Sequence, residues 1–250
     1  MTSNVYIISC QRNANVFVTN CIESVSQQTV LPQKHIVIDD CSSDNTNEIL
    51  SNIASHNTCL DVIINVDRKY RLKNIYDAVI NLPDDSIVCL LDGDDWFASP
   101  DVIEKICEQY EDPGVEYVYT NWQYSHAPIV GISKPIPGAE WDPYESEWIT
   151  SAMGTFRARW FKSIPVSNFL DRTGQFFKMG TDQAYILPML HMLKKRDGDY
   201  RGAKFINEPL YVYQFIENEK RRRIDSEGNW ERETASQSSV LIRERGFLSE

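Results

Sequence analysis

Apolar runs of three to five residues alternate with longer amphipathic stretches over positions 5–110. Val5-Tyr6-Ile7-Ile8, His35-Ile36-Val37-Ile38, Val62-Ile63-Ile64 and Ile87-Val88-Cys89-Leu90-Leu91 suit strands and are too short for helices. Between them Val16, Phe17, Cys21, Ile22 and Val25 recur at helical spacing. So do Ile49, Leu50 and Ile53, then Ile75 to Leu82, and Pro100 to Tyr110 with proline near its start. The run from Ile87 to Leu91 has no polar position, the pattern of a strand covered on both faces. Strand and helix therefore alternate, which predicts a parallel, doubly wound α/β sheet.

Beyond Pro113 the pattern changes. Val115 to Tyr119 predicts one more strand, followed by a long loop carrying Trp122, Tyr124, Trp141, Tyr144 and Trp148 among Pro128, Pro135, Pro137 and Pro143. A loop of this length is usually functional or disordered. Its aromatic faces suit sugar rings or nucleobases, at about 1–3 kcal/mol per stacked base, or else form an ordinary aromatic mini-core. Phe156 to Phe161 is expected to open a helix, and Gly180 to Leu187 another that loses its regularity at Pro188. Phe205-Ile206 and Leu210 to Tyr213 predict paired closing strands. Ile224 to Glu250 is highly charged and weakly periodic, so partial order is expected there.

The polar positions gather where strands end. One strand runs into Asp39-Asp40, another into Asp92-Gly93-Asp94-Asp95, and a parallel sheet puts both clusters on one edge, where such folds bind ligands. Carboxylates so placed repel one another unless a cation or hydrogen-bond donors intervene. Asp92 and Asp94 can turn onto one hard divalent cation that also holds phosphates, or form a solvated turn, with Asp95 capping the next helix. A calcium loop of the EF-hand kind fails, because its sixth position is Phe97 and its twelfth Ile103. No Gly-x-Gly-x-x-Gly and no Gly-Lys-Ser/Thr loop is present, so carboxylates and a metal would have to hold any nucleotide. Asp182, at a predicted helix start, reads by itself as an N-cap.

Composition narrows the classes. The six cysteines sit singly, without zinc spacing, and read as buried hydrophobes in a reducing compartment. A net charge of −11 argues against a protein that coats nucleic acid. No signal-like start and no run of membrane-spanning length are seen, so a cytoplasmic protein is expected, of a host cell if virally encoded.

Taken in order, Asn13 after the first strand, Ser24-Val25-Ser26-Gln27-Gln28-Thr29, Ile36-Val37-Ile38-Asp39-Asp40-Cys41-Ser42-Ser43-Asp44-Asn45-Thr46 and Leu91-Asp92-Gly93-Asp94-Asp95-Trp96 resemble the family 2 nucleotide-sugar glycosyltransferases of the GT-A fold. The resemblance covers residues 1–125. It departs at Cys10-Gln11-Arg12, where Pro-Thr-Tyr is usual, and at Cys41, where glycine is usual. It implies a Rossmann-like nucleotide-binding fold with a mostly parallel central sheet: a donor half over 1–125, an acceptor half over 126–215 and a charged extension over 216–250. It implies that Asp40 binds the nucleotide base, with Asn74 and Arg12 also on the nucleotide. Asp92 lies near ribose and metal, Asp94 binds Mn²⁺ or Mg²⁺ across the diphosphate, and Asp182 is the general base, although Thr181 replaces the usual Glu before it. None of the four histidines falls where relatives supply a third metal ligand; Lys220-Arg221-Arg222-Arg223 could close over the diphosphate or be a solvated turn.

The implied activity is metal-dependent, inverting transfer of a hexosyl group from a nucleoside-diphosphate sugar, UDP-linked by expectation. The acceptor is a glycan, a lipid-linked saccharide or a modified nucleobase in DNA. A non-catalytic nucleotide-sugar-binding protein on the same fold is the alternative of a different class, and the presence of Asp40, Asp92, Asp94 and Asp182 together argues against it. The oligomeric state is left open.

Overall fold

The computed structural model describes residues 3–214 and 231–249. The chain runs β1 (Val5–Gln11), α1 (Val18–Ser26), β2 (Lys34–Asp39), α2 (Thr46–Ala54), β3 (Leu60–Ile64), α3 (Arg71–Val79), β4 (Ile87–Leu90), β5 (Trp96–Phe97) and α4 (Val102–Gln109). It continues β6 (Tyr117–Tyr124), β7 (Ala127–Val130), β8 (Gly154–Arg157), α5 (Ala158–Lys162), a 3₁₀ turn (Val166–Phe169), α6 (Thr181–Asp197), β9 (Ala203–Tyr213) and α7 (Glu231–Arg245).

One sheet holds all nine strands of the described residues, in the order β3-β2-β1-β4-β8-β6-β9-β5, with β7 attached to β6. β3, β2, β1 and β4 are mutually parallel. β8 runs antiparallel to both β4 and β6, and β9 is parallel to β6. The strand directions are thus mostly parallel, as the resemblance implies.

Alternation along the central strands divides the core. Ile8, Val88 and Leu90 pack with Leu72, Ile75 and Val79 of α3 and with α6 on one face. Ile7, Cys89 and Leu91 pack with Cys21 and Val25 of α1 and with α4 on the other. Helices cover both faces, which is why β4 reads as apolar without a break.

Three local expectations are corrected. Phe156 does not open a helix: Gly154–Arg157 is a strand, and α5 starts at Ala158. A four-residue insert between β4 and β6 shows no period of its own. Phe205-Ile206 and Leu210–Tyr213 are one eleven-residue strand, not a pair. Thr120 pairs with Ile206 and Asn121 with Pro209, so the break at Asn207-Glu208 is a bulge within β9. α6 runs unbroken through Pro188 to Asp197, since buried Leu187, Met189 and Leu190 hold it against the sheet.

Of the charged tail, 231–245 is helical and buries Ile242. Lys220 to Arg223 lies outside the described residues. No helix among the described residues is long and apolar enough to cross a membrane.

Candidate active site

β1, β2 and β4 end side by side, so Asp39-Asp40 and the turn from Asp92 to Asp95 share one edge. The turn closes with the Asp95 N–H donating to the Asp92 carbonyl at 3.0 Å. Glycine is needed at 93: a Cβ there would lie 2.2 Å from Gln11 Oε1 and 2.5 Å from Gln11 Cβ. The turn therefore sits directly on the end of β1.

Asp95 does not cap a helix. It is buried, accepts Tyr211 Oη–H at 2.6 Å and the Gln214 N–H at 2.8 Å, and so ties the turn to the end of β9. Burial, with Asp94 and Asp92 beside it, pushes its pKa well above the usual carboxylate range. Tyr211 Oη in turn accepts the Asp92 N–H at 3.1 Å.

Asp40 is also buried. Its carboxylate accepts the Lys69 N–H and Tyr70 N–H, each at 2.8 Å, and Asn65 Nδ2 at 3.1 Å. Tyr70 donates from a backbone at φ 65°, ψ 161°, a region that non-glycine residues occupy at a cost of about 1–3 kcal/mol. Asn74 is 2 % exposed; Oδ1 accepts Asn65 Nδ2 at 2.8 Å, while buried Nδ2 has no partner among the described residues. Arg12 is exposed at the end of β1.

Asp182 lies in the first turn of α6, after Gly180 in the left-handed region. Its Oδ1 accepts Tyr185 Oη–H at 2.6 Å and Arg71 Nη1 at 2.8 Å. Burial, then Asp182, pushes the Tyr185 pKa well up, so the hydroxyl stays a donor.

Arg71, at the start of α3, joins the two sides. Nε donates to Asp92 Oδ1 at 2.7 Å, and Nη1 donates to both Thr181 Oγ1 and Asp182 Oδ1 at 2.8 Å. Burial works against its charge, but Asp92 and Asp182 outweigh that and push its pKa well up. The cleft is lined by Arg71, Asp92, Trp148, Asp182, Tyr185 and Tyr213, among others.

The structure thus brings Asp92 and Asp182 together and sets Asp94 two residues from Asp92 on the same turn. Asp40 and Asn74 are linked through Asn65, and Asp40 also holds the N–H of Tyr70, the residue before Arg71. None of Asp40, Asn74 and Arg12 lines the cleft between Asp92 and Asp182. Arg71 is what sequence reasoning missed. Of the loop aromatics, Trp141 and Tyr144 are buried in the core, and Trp148 reaches the cleft.

Among the described residues no group of three or more His, Cys, Asp or Glu is placed to hold a metal. Asp92 and Asp94 nevertheless fit a hard cation of the Mg²⁺ or Mn²⁺ kind, which takes one or two carboxylates and completes its shell with phosphate oxygens and water.

Residues 5–169 match the family model described as Glycosyl transferase family 2. Comparison with curated proteins finds no match. Similar solved structures include S. aureus TarS 1–349 in complex with UDP-GlcNAc, at 14% identity and TM-score 0.61 over 86% of this chain and 59% of that one. The mannosyltransferase PcManGT from Pyrobaculum calidifontis, in complex with GDP-Man and Mn²⁺, is 14% identical at TM-score 0.59, over 86% and 58%. Glucosyl-3-phosphoglycerate synthase from Mycobacterium tuberculosis, in complex with Mn²⁺, UDP and phosphoglyceric acid, is 15% identical at TM-score 0.59, over 96% and 78%. The chain spans less than two thirds of the first two proteins. At these identities the likeness establishes the fold.

Proposed function

The chain belongs to glycosyl transferase family 2, and from that premise we propose that it moves a sugar from a nucleoside-diphosphate sugar to an acceptor hydroxyl, with inversion at the anomeric carbon. The observation that carries the reading is the Arg71 guanidinium, which draws Asp92 of the donor-side turn and Asp182 of α6 onto one cleft. Residues 1–125 form the donor half in this reading and 126–215 the acceptor half. The similar structures hold UDP-GlcNAc, GDP-Man with Mn²⁺, or UDP with Mn²⁺, which supports such a donor and a divalent ion; UDP is the first donor to test.

Asp40, Asn74 and Arg12 serve the nucleotide. The buried Asn74 Nδ2, without a partner among the described residues, is a donor suited to a ligand oxygen. Asp92 and Asp94 would hold the divalent ion, which when bound supplies charge to offset that growing on the departing nucleoside diphosphate.

Asp182 acts as general base. Arg71 and Tyr185 both bond Oδ1, which fixes the carboxylate and leaves the acceptor proton to Oδ2. Trp148 and Tyr213 line the cleft and supply aromatic surface where a sugar would sit. No covalent enzyme intermediate is required: the acceptor oxygen forms its bond to the anomeric carbon as the bond to the diphosphate breaks. The acceptor in this reading is a hydroxyl of a glycan or lipid-linked saccharide.

The test is a panel of UDP-, GDP- and CDP-linked sugars with Mn²⁺ or EDTA, following nucleoside diphosphate released by slow hydrolysis. Release from one donor that EDTA stops is the expected result. No release from any donor, together with no thermal shift on adding metal and nucleotide, would return the chain to the non-catalytic class.

A further inference from the structure

Arg71 meets its two carboxylates through different nitrogens, Nε toward Asp92 and Nη1 toward Asp182 and Thr181. One contact can therefore open while the other holds, which a guanidinium fork permits and a point charge does not. Its backbone is anchored next door, because the Lys69 and Tyr70 N–H groups are both bonded to buried Asp40. Any rearrangement falls on the side chain.

Asp92, Asp94 and Asp95 crowd one four-residue turn, and like charges that close destabilise one another. Arg71 is a cation bonded to that turn, on the same carboxylate that the reading above assigns to the metal. A guanidinium and a divalent ion compete for one set of oxygens.

Resting on that reading, we propose that Arg71 is a stand-in cation. In the donor-free protein it occupies Asp92 and preserves the shape of the turn; it releases Asp92 when metal and diphosphate arrive, and keeps Asp182 oriented through Nη1 throughout. Arg71 is thus a positioning residue for Asp182 and a competitor of the metal for Asp92. Bare metal must displace it without help from a diphosphate, so metal binds weakly until nucleotide is present.

The test is Mn²⁺ affinity without nucleotide, by titration calorimetry, for the wild type, Arg71→Gln and Arg71→Lys, with circular dichroism to check folding. Arg71→Gln should bind Mn²⁺ about tenfold more tightly, the factor expected from one charge-assisted contact of this kind. Arg71→Lys should bind it roughly threefold more tightly, because an ammonium keeps the charge but cannot span both carboxylates. With UDP added, the gap should close. Should Arg71→Gln fail to fold, the lysine variant decides. Unchanged affinity in both variants would overturn the proposal. So would tightening in Arg71→Gln with Arg71→Lys matching the wild type, because Arg71 would then act as background charge. Absence of Mn²⁺ binding in all three, with or without UDP, would overturn the metal-dependent reading itself.

Discussion

Asp182 takes two hydrogen bonds on one oxygen, from a guanidinium and from a tyrosine kept protonated by its surroundings. Asparagine at 182 keeps that shape and loses the basicity, so transfer should fall about 10²- to 10⁴-fold while UDP affinity holds. Asp94→Ala should lose transfer and nucleotide binding together; UDP titration in Mn²⁺ separates the two, and equal loss of binding in both variants would refute this division of roles. Cys41 poses a different residue-scale question, for it sits at φ 62°, the left-handed region. That conformation costs a side chain about 1–2 kcal/mol, which explains the glycine usual at this position. Cys41→Gly relieves the strain, gains about 0.5–1 kcal/mol of unfolded-state entropy to lose, and gives up a weak Sγ–H bond to the Val66 carbonyl at 3.3 Å. Urea unfolding should find it within about 1 kcal/mol of wild type, with Cys41→Val clearly lower. Asp40, Asp92 and Asp94 were open to proposal from the sequence because each sits in a run whose neighbours mark it, and Asp182 through the resemblance alone. Arg71 was not, since its role depends on partners 21 and 111 residues away that folding alone brings near.

The elements that read most clearly are those with a pattern of their own. β1, β2 and β4 carry uninterrupted apolar runs, and α1 and α4 recur at helical spacing; β8, Gly-Thr-Phe-Arg, shows neither, and β9 hides its continuity behind the bulge at Asn207-Glu208. α7 is the least legible, because what holds it is mostly polar. Arg243 donates from Nη1 to the carbonyls of Tyr144 and Ser146 at 2.8 and 2.9 Å, and from Nε to Gln183 Oε1 at 3.0 Å. It thereby ties the loop leading to Trp148 to the residue after Asp182. Arg245 does the same for the carbonyls of Asn168 and Leu170. Arg243→Ala leaves those acceptors without their charged donor and should cost about 2 kcal/mol. Hydrogen exchange should rise over residues 141–150 while the peptides of β1 and β4 stay protected; uniform protection in the variant would mean that α7 merely rests on the loop.

At the scale of the molecule, the helices on both faces of the sheet seal polar groups that the sequence scatters among apolar ones. His35 on β2 is 2 % exposed and hydrogen-bonded to Ser9 Oγ on β1 at 2.9 Å. Burial lowers its pKa from 6.5 to about 3. Below 6.5 the unfolded chain takes a proton at this site and the folded chain does not, so protons favour unfolding. The stability contributed by neutral His35 is fully present above pH 6.5 and is lost progressively as pH falls toward 3. A single group of this kind imposes a slope of at most about 1.4 kcal/mol per pH unit. His35→Gln can keep a hydrogen bond to Ser9 and cannot titrate, so its stability should start lower at pH 7 but fall less steeply on acidification. Urea unfolding at pH 7, 6, 5 and 4 measures both slopes. The difference between wild type and variant isolates His35 from every carboxylate, because those titrate in both proteins alike. Parallel curves would mean that water reaches His35 and that the two layers do not seal the β1–β2 seam. Converging curves would place a share of the acid sensitivity of the fold in the buried seam behind the site, separate from whatever the carboxylates on its edge contribute to both proteins.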